Sequence, residues 1–142
     1  MTRSETASGW RLTIDAQGLL VSKNDALEAK YLDGYRRGSG RCPQASSANA
    51  YNDKARAVRE LVAMLAKPIG PVTGPVYVSI DFNPKTSWDD DAGAIMVTWI
   101  VDGLTDAGLW QKDRRVISWL TFRTVRDSAA PAIAVYIDRV PS

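Results

Sequence analysis

The chain contains no histidine and only one cysteine, Cys42, among its 142 residues. A single cysteine excludes any disulfide within the chain. Without histidine, zinc sites built from Cys and His, Ser-His-Asp triads and histidine-based acid-base catalysis are excluded as well. Long apolar runs are also missing, and the longest is far too short to span a bilayer. The segment from Met1 to Gly9 is polar and rich in small residues. It reads as neither signal peptide nor membrane anchor, and a cytoplasmic protein without membrane contact is expected. Chemistry is left to carboxylates, lysine, arginine, tyrosine and hydroxyls.

Hydrophobic residues make up 45% and charged residues 24%, the balance of an ordinary globular protein. A chain of this length fits one domain over residues 1–142, able to bury roughly two-thirds of its unfolded surface. The net charge of +2 conceals segregation, because the 18 lysines and arginines gather in a few stretches. A near-neutral total is compatible with a basic face.

Residues 1–9 are expected to be disordered. Trp10 to Val21 alternates weakly and is read as a first strand, with a short helix from Ala26 to Tyr35 after it. Residues 36–47 are Arg, Gly, Ser and Pro rich, the composition of a mobile basic loop. Asn49 can cap a helix running to about Ala66, with Tyr51, Ala55, Val58, Leu61, Val62 and Leu65 along one face. Val76, Val78, Ile80 and Phe82 alternate with polar neighbours as a half-buried strand. A second helix is predicted from Ala92 to Ala107, stopped by Gly108, and strands follow over about Val116 to Val125 and Ala132 to Val140. This β-α-α-β-α-β-β order predicts an α+β fold, a small mixed β-sheet with helices packed on one face.

The feature that carries chemistry is Asp89, Asp90 and Asp91 between strand and helix, with Asp113 beyond that helix between Lys112 and Arg114. Carboxylates crowded together repel one another unless a cation neutralises them, which makes the cluster a candidate Mg²⁺ or Mn²⁺ site. A metal so held can activate water and stabilise a departing oxygen in phosphodiester hydrolysis. In extended backbone Asp89 and Asp91 point the same way and Asp90 points away. The plainer alternative is that Asp90 and Asp91 cap the second helix.

The segment DDDAGAIMVTWIVDGLTDAGLWQKDRRVISW, Asp89 to Trp119, resembles the core signature of RusA-type Holliday junction resolvases, a family also widespread in phages and prophages. Asp102-Gly103-Leu104-Thr105-Asp106-Ala107-Gly108 matches the family's helix-end motif, and the preceding helix and strand fall in the family's order. The resemblance implies a dimeric, Mg²⁺-dependent (or Mn²⁺-dependent) endodeoxyribonuclease for Holliday junctions or other branched DNA. It places Asp89 and Asp91 at the family's two metal-site aspartates and Asp113 at the aspartate after the helix. Three features depart from the pattern: Ala92 stands for an asparagine, Thr98 stands for the helix lysine, and the family's N-terminal Pro-rich, Asn-containing DNA-binding stretch is reduced to Leu20-Val21-Ser22-Lys23-Asn24-Asp25.

A helix from Ala92 to Ala107 places its ends on the order of 24 Å apart, so Asp91 and Asp113 of one chain have difficulty sharing a metal. A two-fold dimer with these helices antiparallel brings Asp89 and Asp91 of one subunit to Asp113 of the other. Its expected interface is the exposed part of the stripe formed by Trp99, Ile100 and Gly103. The residues expected to bind DNA phosphates are Lys112, Arg114 and Arg115, then Arg36, Arg37 and Arg41 in the loop, then Lys54, Arg56 and Arg59 on the first long helix. Thr98 and Ala92 favour a second reading, a branched-DNA-binding protein of the same fold with weak or absent catalysis. A third is a metal-dependent phosphohydrolase acting on nucleotides.

Overall fold

The computed structural model describes residues 1–20, 45–85, 88, 90–111 and 116–141. Its elements are β1 (Thr2–Glu5), β2 (Gly9–Ile14), a 3₁₀ turn at Gln17–Leu19, α1 (Ala45–Ala66), a second 3₁₀ turn at Lys67–Ile69, β3 (Val76–Phe82), α2 (Asp90–Asp106), β4 (Ile117–Thr124) and β5 (Ile133–Arg139). The five strands form one mixed sheet in the order β1-β2-β5-β3-β4. Strand β3 pairs parallel with β4 and antiparallel with β5, so β3, α2 and β4 make a βαβ unit.

Side-chain alternation decides which face is covered. Val76, Val78, Ile80 and Phe82 of β3 are fully buried, with Leu12 and Ile14 of β2 and Ile133, Val135 and Ile137 of β5 on the same side. Val58, Val62 and Ala66 of α1 and Met96, Ile100 and Leu104 of α2 close this core. The mixed sheet with its helices on one face matches the sequence expectation. The two helices also pack closely on each other, and Gly103 explains why they can. A Cβ at Gly103 would lie 2.7 Å from the carbonyl oxygen of Arg59 and 2.9 Å from Cβ of Val62.

Three expectations need correction. The segment expected to be disordered begins with β1, whose residues pair with β2 from Thr2 opposite Thr13 to Glu5 opposite Trp10. All four β1 side chains are exposed, so hydrophobicity gives no sign of this strand; it is held by backbone pairing at a sheet edge. The strand expected over Trp10 to Val21 stops at Ile14. The first long helix begins at Ala45 and not at Asn49, so residues 45–47 are helical and do not belong to a loop. The predicted helix from Ala26 to Tyr35 and the remainder of the basic loop lie outside the described residues.

Candidate functional site

Strand β3 delivers the chain to the acidic triplet through a firmly held corner. Asn83, only 5% exposed, donates from Nδ2 to the carbonyls of Asp127 (2.7 Å) and Ala130 (2.9 Å). Its backbone amide donates to the Ala132 carbonyl at 2.8 Å, and its own carbonyl accepts from Gln17 Nε2 at 2.7 Å. Arg126 Nη1 then donates to the Pro84 carbonyl at 2.9 Å. The ring of Trp88 packs on Phe82 with centroids 5.6 Å apart. Sequence reasoning missed Asn83. Its only sequence signal is an amide directly after a strand and before a proline, a pattern shared by many turns.

Helix α2 starts at Asp90, so Asp90 and Asp91 occupy its first turn, the position at which the helix dipole favours carboxylates. The extended geometry expected for the triplet therefore fails at its second and third members. Helical residues turn by about 100° each, so strand alternation does not set the direction of Asp91. Asp91 is exposed, Ala92 is fully buried in the core, and Asp89 lies outside the described residues. Two turns along the helix, Thr98 is exposed, and its hydroxyl donates to the Ile95 carbonyl at 2.8 Å.

Asp113 lies outside the described residues with Lys112, Arg114 and Arg115, and so do Arg36, Arg37 and Arg41. Among the described residues, no three acidic or cysteine side chains come together as a metal-holding group. The donor set of the expected triad is all carboxylate oxygen, which suits a hard cation such as Mg²⁺ or Mn²⁺. Topology bears on how the triad could assemble. The parallel register sets Ile117, the first residue of β4, opposite Val76 and sets Thr124 opposite Phe82. The chain thus enters β4 at the far end of the sheet from the β3 terminus that leads to Asp91.

Of the helix trio expected to meet phosphates, Lys54 is half-buried, Arg56 is exposed, and Arg59 has a carboxylate partner. The Arg59 guanidinium binds Asp106 through Nε and, at 2.9 Å, through Nη2, and its Nη1 lies 4.0 Å from Asp102. The Arg59 hydrogen bond holds the Asp106 carboxyl below its usual range, and the same bond holds the guanidinium pKa up. Asp102 therefore belongs to the contact between the two helices. The stripe expected to form a dimer interface is also used within the chain. Ile100 is fully buried and Gly103 is covered by Arg59 and Val62, leaving Trp99 half-buried beside Ala55, Arg56 and Arg59.

No protein-family model matches the chain, and no curated protein sequence matches it. The likeness to RusA-type resolvases rests on the motif residues from Asp89 to Trp119 and on the order of the helix and strand before them.

Proposed function

We propose that the chain is a Mg²⁺-dependent, structure-specific endodeoxyribonuclease that cuts Holliday junctions or other branched DNA as a homodimer. The observation that carries this reading is the acidic triplet at the junction of a stapled strand end and a helix, followed by Asp113 in a basic run. Asp89, Asp91 and Asp113 would hold the ion, and Lys112, Arg114 and Arg115 would contact phosphates beside it. A bound Mg²⁺ supplies an activated water and neutralises charge on the departing oxygen. Asp91 anchors one part of this site at the helix N-terminus. The entry of the chain into β4 at the opposite end of the sheet supports a site completed by Asp113 of a second subunit. A dimer of this kind makes two cuts facing two strands.

Thr98 favours a second reading. Its side chain is committed to its own helix carbonyl and supplies no cation beside Asp91. A branched-DNA-binding protein with weak or no cleavage follows from that substitution. The two readings separate when labelled four-way junction, flap and duplex DNA are incubated with the protein, with and without Mg²⁺. Metal-dependent nicking of branched DNA supports the nuclease. Junction binding without nicking supports the binding protein.

A further inference from the structure

Strand β4 lies at one edge of the sheet, and among the described residues it pairs with β3 alone. The one irregularity in that pairing falls before Trp119, so the strand is regular from there to Thr124. Just past its end, the Val125 amide donates to the Phe82 carbonyl at 2.8 Å. Backbone groups alternate in direction along a strand, so the amides and carbonyls of Leu120 and Phe122 point away from β3. Such an edge is a template for a further strand. The two edges of the sheet differ in this respect. β1 is four residues long and carries Arg3 and Glu5, whereas β4 is eight residues long with Arg123 as its one charge. Short length and charge protect an edge, and β4 has less of both.

Apolar side chains stand open on both faces of this edge. Trp119 is 62% exposed beside Tyr77 on the face opposite the helices, and Leu120 is 43% exposed on the helix face, which Phe122 shares. Antiparallel strands set residues of the same face opposite each other, so a two-fold pairing of β4 with itself must pass through a residue. Placed at Thr121, it sets Leu120 opposite the partner's Phe122 and Trp119 opposite the partner's Arg123, each pair occurring twice. The result is an aliphatic-aromatic contact on one face and a guanidinium against a ring on the other. Arg123 is anchored to Asp81 at 2.8 and 3.3 Å with its side chain 73% exposed, so it can meet that ring. The two copies of Arg123 stay about 13 Å apart along the seam, four residues at about 3.4 Å each. A two-fold at Leu120 or Phe122 loses both pairings, and one at Arg123 sets like charges together. The strand thus supplies both halves of each pair, which selects a second copy over an unrelated strand.

We infer that two copies of the chain join β4 to β4, antiparallel about Thr121, into one continuous sheet. This edge takes the place of the α2 stripe as the dimer interface, since Ile100 and Gly103 of that stripe are covered within the chain. A consequence for the shared site rests on the nuclease reading. β4 runs from the level of Val76 to the level of Phe82, and in the partner its direction is reversed. The partner's entry into β4 therefore comes level with the end of β3, two strand spacings or about 10 Å away. That is the end of the sheet that leads to Asp91.

Oxidation with diamide, in EDTA and without DNA, tests the register in a Cys42→Ser background. Thr121 faces its own copy as a non-hydrogen-bonded pair with Cα atoms about 4.5 Å apart, within disulfide reach. Thr121→Cys is expected to give a covalent dimer. Ser118→Cys, about 20 Å from its copy, is expected to give none. Sedimentation of wild type is expected to show a dimer. Leu120→Lys sets an unpaired cation against the partner's Phe122 and, at an exposed position, leaves the core intact; it is expected to halve the mass to the 15.5 kDa of one chain. A monomeric wild type, cross-linking that is absent at Thr121→Cys or equal at the two positions, or a Leu120→Lys chain that stays dimeric overturns the interface. A monomeric wild type is also the result if an unrelated protein or another segment of the chain covers β4. Failure of the nuclease reading shows only as absent nicking in Mg²⁺, and a dimer that cross-links through Thr121→Cys without nicking leaves the interface standing.

Discussion

Asp91 and Thr98 lie two turns apart on helix α2, and both are exposed. Seven residues of helix return to nearly the same side after about 10.5 Å, so the two side chains share one surface stripe. The position that the resemblance expects to be a lysine is thus on the same side of the helix as Asp91 of the acidic triplet. Thr98 fills it with a hydroxyl turned to the Ile95 carbonyl.

Thr98→Lys is therefore the most informative gain-of-function change. A cation placed where charge develops is worth a factor of about 10² to 10³ in an optimised site, and an added lysine without its own supports should recover about tenfold. Initial rates of Mg²⁺-dependent nicking of a four-way junction measure this. Because Thr98 is exposed, the urea midpoint should stay unchanged.

The shared-site arrangement predicts an unusual rescue. Asp89→Asn and Asp113→Asn chains are each expected to be inactive alone. Mixed and allowed to exchange subunits, they form heterodimers in which one site has both defects and the other has none. About a quarter of wild-type nicking should return, because half the dimers carry one intact site of two. Sites completed within one chain give no rescue.

Gly103→Ala tests the close approach of the two helices. A methyl group 2.7 Å from the Arg59 carbonyl oxygen forces α1 and α2 apart. Overpacking of this kind costs about 1–3 kcal/mol, to be read as a lower urea midpoint at an unchanged slope.

The Arg59–Asp106 pair gives stability a pH dependence of known sign. The Asp106 carboxyl is lowered by the hydrogen bond from Arg59, with burial opposing. A carboxyl depressed on folding contributes stability that is fully present above its unfolded pKa and is lost as pH falls through the folded one. The urea midpoint should stay level near neutral pH and drop below about pH 4, the ordinary aspartate range. Asp106→Asn should flatten part of that drop and cost about 0.5 kcal/mol at pH 7, since both partners are substantially exposed to solvent.

Much of this architecture is legible in the chain itself, for identifiable reasons. The β3 strand follows from strict alternation between Val76 and Phe82, and its observed bounds match the expected ones. Helix α2 follows from a broad apolar stripe, displaced by two residues at its start because Asp90 and Asp91 enter the first turn. Strand β1 was illegible because four exposed side chains carry no burial pattern, and its place in the sheet comes from pairing with β2. The stripe of Trp99, Ile100 and Gly103 reads as an interface because periodicity identifies an apolar face without saying which element covers it. Over Gly103 the covering element is α1. Of the expected metal triad, Asp91 alone falls among the described residues, and its place in a helical turn was foreseen only in the capping alternative.

The central claim is that Asp89, Asp91 and Asp113 hold a metal that cuts branched DNA. The most direct test is the rate of Mg²⁺-dependent nicking of a synthetic four-way junction by wild type and by Asp89→Asn, with junction binding measured in EDTA alongside. Wild type is expected to nick the junction, the variant to lose nicking by a factor of about 100 or more, and both to retain junction binding. Cleavage by Asp89→Asn as fast as wild type would contradict the claim.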